Sequence, residues 1–152
     1  MTSFRRTRRF VLVAAVGVLG ACTSATAPGE TDLALARQRW ALSNVRSYDY
    51  TIQRECFCAP AWTLPVTVTV TNGLVTGQVY ADTGLPVPEF IPDFTTVDAL
   101  FGVVERAYTD HADGVTASYD PTTGVPLSIA IDPSFHTADE EVSYSVSMFH
   151  AR

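Results

Sequence analysis

The chain has no lysine, only three cysteines, and no apolar run long enough to cross a membrane as a mature helix. Its ten cations are all arginines, and four of them (Arg5, Arg6, Arg8 and Arg9) precede Cys22. Beyond Cys22, six arginines face sixteen acids, a net charge near minus ten. That balance excludes nucleic acid as a partner, because phosphate binding needs a clustered basic face. It also opposes adsorption to anionic lipid heads. Catalytic signatures are missing too: there is no Gly-x-Ser-x-Gly elbow, His-Glu-x-x-His helix, phosphate loop or dinucleotide fingerprint. His111, His136 and His150 share no ligand spacing, so neither a metal nor a cofactor is expected.

What is present begins at the N-terminus. The four arginines make a basic start, and Phe10 to Leu19 (FVLVAAVGVL) is an apolar run of signal-peptide length. A membrane-spanning helix needs roughly 20 apolar residues. The run closes on Leu19-Gly20-Ala21-Cys22, which resembles the lipobox of bacterial lipoproteins. Residues 1–21 are therefore expected to be a cleaved lipoprotein signal, with Cys22 lipidated; the alternative is an ordinary secretory signal cut nearby. Thr7-Arg8-Arg9-Phe10-Val11-Leu12 fits either the twin-arginine or the general secretory route. Residues 22–31, rich in small polar residues and broken by Pro28 and Gly29, read as a flexible tether. At ~3.3–3.6 Å per residue it holds the domain at most roughly 30 Å from the lipid. The expected address is outside the cytoplasm, anchored to the cell membrane or the outer membrane, in the periplasm or the extracellular space.

Residues 32–152 are enough for one core but not for two domains. Leu33 to Val45 is predicted as a helix with Leu33, Ala36, Trp40 and Ala41 on one side. Ser47 to Cys56 alternates, as does Pro65 to Thr71. Asn72-Gly73 then supplies a hairpin turn into a return strand from Leu74 to Ala81. Leu85 to Phe94 reads as a loop packed over the core. Thr95 or Thr96 caps a second helix carrying Val97, Leu100, Phe101, Val104 and Tyr108. Three more strands are expected, with Val115, Ala117 and Tyr119, then Leu127, Ile129 and Ile131, then Val142, Tyr144, Val146 and Met148 facing the core. Half-buried strands need one face covered. The expectation is an α+β fold, a curved antiparallel sheet of about six strands with two helices on one face, in the order α-β-β-β-α-β-β-β.

Tyr48-Asp49-Tyr50-Thr51-Ile52, Cys56-Phe57-Cys58, Pro65-Val66-Thr67-Val68, Thr96 to Phe101 and Tyr119-Asp120-Pro121 with Gly124-Val125-Pro126 carry a resemblance. The domain resembles a family of bacterial exported lipoproteins known as a domain of unknown function, DUF6174. The Cys-x-Cys and the Asp-Pro turn are its most specific parts. The resemblance implies an architecture and an exported address, and it carries over no catalytic residue.

Glu55-Cys56-Phe57-Cys58-Ala59-Pro60 is the chemically suggestive segment. On a regular strand the two cysteine Cα atoms lie roughly 6.5–7 Å apart, at the edge of disulfide reach. A bend before Pro60 brings them closer, and an oxidising compartment favours the bond. A disulfide staple is the leading reading. A redox site is the alternative, for which Arg54 supplies positive charge and Glu55 opposes it. Phe57 and Trp62 beside the pair are a possible contact tip. Together these readings point to a membrane-tethered envelope module that binds an unknown protein or small molecule and is not an enzyme. The alternative function is a thiol–disulfide redox protein.

Overall fold

The computed structural model describes residues 28–91 and 94–152. The expected signal, the expected lipidation site at Cys22 and the first six residues of the expected tether lie outside the described residues.

Helix α1 spans Pro28–Ser43 and buries Leu33, Ala36 and Trp40. It starts five residues before Leu33, so the last residues of the expected tether are helical. Proline suits the first turn, where its missing N–H is no loss. Gly29 passes so close under the Tyr108 hydroxyl that a side chain there would collide with it. Contact with the second helix thus extends the first. Its end is marked by Asn44 in the left-handed region (φ 53°), where asparagine is tolerated. Ala41, expected on the buried side, is exposed.

Strand β1 (Tyr48–Cys56) pairs with β2 (Val66–Thr71), which turns into β3 (Leu74–Tyr80). Asn72 (φ 53°) and Gly73 (φ 80°) provide the two positive angles that a type I′ turn needs. Helix α2 covers Val97–Thr109, and Thr96 caps it by accepting a hydrogen bond from the Ala99 amide at 3.2 Å. Strands β4 (Gly114–Tyr119), β5 (Pro126–Asp132) and β6 (Val142–Ala151) follow. The sheet order is β3-β2-β1-β6-β5-β4, with every pair antiparallel. Two three-strand meanders are thus joined where the first strand meets the last. The α+β architecture and element order expected from the sequence are those observed.

One cluster makes the core. Tyr48, Tyr50 and Ile52 of β1, Val66, Val68 and Val70 of β2, and Ile129 of β5 line the sheet. Leu33 and Trp40 of α1, with Val97, Leu100, Phe101 and Val104 of α2, close it from above. Two tyrosines seat α2: the Tyr48 hydroxyl accepts from the Val97 amide at 2.9 Å, and the Tyr50 hydroxyl donates to the Thr95 carbonyl. Burial pushes the Tyr48 phenol up to about 12 and raises that of Tyr50 as well. From the crossover loop, Ile91 and Phe94 are buried and Phe90 is exposed.

The pairing slips at three bulges, and two of them upset the expected alternation. Ser118 pairs with Ser128 and Tyr119 with Pro126, which leaves Leu127 as the extra residue. The slip turns Leu127 outward, 41% exposed, and buries Val125. In β6, Asp49 pairs with His150 but Thr51 with Ser147. Met148, at φ 51°, takes up the extra step and is 81% exposed. Phe149 packs in its place, against Trp40 and Tyr48 with ring centroids 5.9 and 5.4 Å apart.

Candidate functional site

At the end of β1 the chain bends sharply, with the Cys58 amide donating to the Cys56 carbonyl at 2.9 Å. This two-residue closure is a γ-turn, common at strand ends. It shortens the Cα separation to 5.3 Å and brings the sulfurs to a bonding distance of 1.99 Å. The bend before Pro60 is thus what brings the pair within disulfide reach. Both cysteines are half-exposed, and Phe57 between them projects into solvent, 80% exposed. A three-residue loop removes little chain entropy, so replacing both cysteines by serine should cost only about 1.5 kcal/mol in chemical denaturation.

Arg54 lies on the core-facing side of β1, next in line after Ile52. Its guanidinium lies 4.8 Å from the Phe94 ring centroid and 5.8 Å from that of Tyr144, in cation–π range. Its charge is engaged with the packed side of the sheet. Trp62 sits in the short 3-10 turn Pro60–Trp62, half-buried. It does not join Phe57 in the cleft described next.

On the solvent face of the sheet, beside the disulfide, lies an open cleft of about 660 Å³. Strand order assembles it: Glu55 and Cys56 come from β1 and Phe57 from the bend after it, Val142 and Ser143 from β6, Ala130 to Asp132 from β5, and Gly114 and Thr116 from β4. Phe135, from the loop after β5, forms one wall and is well exposed. A side chain on Gly114 would come within 3.1 Å of that ring, so glycine makes the space in which Phe135 rests. Asp113 holds the loop by accepting the Phe135 amide at 2.9 Å. The lining includes Glu55, Asp132, Asp139 and Glu141, and no basic side chain lines the cleft.

Sequence reasoning singled out Cys56, Cys58 and Phe57 but missed Gly114, Asp132 and Phe135. Nothing in the local sequence joins these segments; they meet because β6 inserts between β1 and β5. Among the described residues no three His, Cys, Asp or Glu side chains are gathered to hold a metal ion, and no helix is long and apolar enough to cross a membrane.

A second hollow, of about 720 Å³, lies between the helices, lined by Leu33, Arg37, Glu105 and Tyr108. There Arg37 and Glu105 pair at 2.8 Å, which leaves Glu30 as the acid of that lining outside the pair. The cleft beside the disulfide, with unmatched charge and exposed aromatic rings, is the stronger candidate.

Compared with known proteins, residues 32–151 match the model of a family described as a family of unknown function, DUF6174. No curated protein and no solved structure matches the chain.

Proposed function

We propose that this chain, which belongs to the DUF6174 family of unknown function, is an exported lipoprotein, tethered through lipid on Cys22, whose domain is a binding module. The observation that carries the tether is Leu19-Gly20-Ala21-Cys22 directly behind ten apolar residues and four arginines. Two further features support the reading. The domain's first helix begins at Pro28, a few residues past Cys22, so the anchor stands immediately before folded structure. The Cys56–Cys58 pair suits an oxidising compartment. Binding is supported by the cleft beside that pair, whose size lies in the range of small-molecule sites.

Replacing Cys22 with serine tests the tether. The wild-type chain should incorporate labelled fatty acid and sediment with membranes; Cys22→Ser should incorporate none and leave the membrane fraction. A variant that stays attached would remove the lipid anchor from the account.

A thiol–disulfide redox role is the second reading, favoured by the half-exposed position of the bonded pair. Alkylation in graded glutathione buffers separates the two. Under the binding reading the bond resists physiological reductant in the native protein. Ready reduction, or a free reactive thiolate, supports redox chemistry instead.

A further inference from the structure

We propose that the cleft beside the Cys56–Cys58 bond takes a small organic cation with an apolar body. The proposal rests on the reading of the domain as a binding module and names the ligand class.

Charge complementarity is the first argument. Glu55, Asp132, Asp139 and Glu141 are among the lining residues, and no arginine or histidine lines the cleft. A concave surface walled by one sign of charge concentrates counter-ions of the other.

The second argument separates an organic cation from a bare metal ion. Among the described residues no three donors converge tightly enough for a metal. Two aromatic rings line the cleft, Phe57 on the disulfide-closed bend and Phe135 seated on Gly114, both largely exposed. Aromatic faces attract cations that are weakly hydrated, quaternary ammonium groups above all. Ile131 and Val142 supply apolar surface for the rest of the ligand. A volume of about 660 Å³ admits a molecule of drug size.

The test uses the isotopically labelled, lipidated protein in dodecyl maltoside micelles, titrated with benzyltriethylammonium and followed by amide NMR. Benzyl alcohol serves as the neutral control and benzenesulfonate as the anionic one. The expected result is saturable shifts centred on Glu55, Phe57, Gly114, Asp132 and Phe135, with affinity falling as salt is raised. Glu55→Gln and Glu141→Gln, both at exposed positions, should each weaken binding roughly three- to tenfold. Phe57→Ala, at an equally exposed position, should weaken it too and leave the melting temperature unchanged.

Three outcomes overturn the proposal: no saturation at millimolar cation, equal binding of benzyl alcohol, or shifts indifferent to the carboxylate variants. Equal binding of benzyl alcohol would leave a binding module with an apolar ligand, so the broader reading survives that failure. Response only to a basic peptide would assign the cleft to a protein segment and likewise defeat the small cation. The lipid anchor is read separately, by fatty-acid incorporation at Cys22.

Discussion

Gly124→Ala should lower the stability of the domain by about 3–5 kcal/mol, the largest loss expected from any single added methyl group. Two costs combine there. Gly124 sits at φ 80°, a left-handed angle that costs a residue with a side chain roughly 1–2 kcal/mol. A Cβ would also overlap the Ala36 carbonyl oxygen and come within 3.0 Å of the Trp40 amide nitrogen. Those atoms belong to the α1 backbone, which can yield only by moving the helix off the sheet. The turn after β4 is fixed besides by Asp120, whose carboxylate accepts from the Thr122 and Thr123 amides at 3.0 and 2.6 Å. Those bonds hold the Asp120 carboxyl below the usual carboxylate range. Gly84→Ala separates the two costs, since Gly84 has φ 68° but open space where a Cβ would lie. It should cost only about 1 kcal/mol. Thermal unfolding checks both: the Gly124 variant should melt roughly 10–20 °C lower and the Gly84 variant only a few degrees lower. Equal losses at the two sites would mean that α1 does not lie on the turn.

Trp40→Ala should cost about 3–5 kcal/mol, the range for deleting a large buried aromatic side chain. Trp40 is buried in α1, and its indole meets Tyr48 edge-on at 5.4 Å and Phe149 at 5.9 Å. These rings join the first helix to the first and last strands at the seam between the two meanders. Their removal leaves a cavity at the junction that completes the sheet. Leu42→Ala, two residues along the same helix but 77% exposed, should change stability by no more than about 0.5 kcal/mol. Urea unfolding followed by far-ultraviolet circular dichroism measures both without relying on tryptophan emission. A Trp40 variant as stable as the Leu42 variant would place α1 outside the core.

Much of this architecture was legible in the sequence because the local signals agree. Valine and threonine alternate through β2, Asn72-Gly73 sets the first hairpin, and Thr96 precedes an apolar stripe of helical period. The errors fall where geometry depends on distant partners. Leu127 and Met148 fit the alternation of their own strands, yet each borders or occupies a bulge defined only by its pairing partner. The early start of α1 depends on Tyr108, some eighty residues away. The site was less legible for the same reason. Cys56 and Cys58 stand out by spacing, and Phe57 by lying between them. Asp132, Phe135 and Glu141 acquire meaning only once β6 lies between β1 and β5. That order is set by long-range pairing and has no local residue signature.

The most direct test of the central claim is the intact mass of the protein extracted from membranes, followed by sequencing of its N-terminal peptide. The account predicts a chain that has lost residues 1–21 and begins at Cys22, heavier than its amino-acid mass by a diacylglyceryl group or more. A membrane-extracted chain that retains residues 1–21, or one that starts elsewhere with Cys22 unmodified or missing, would contradict it.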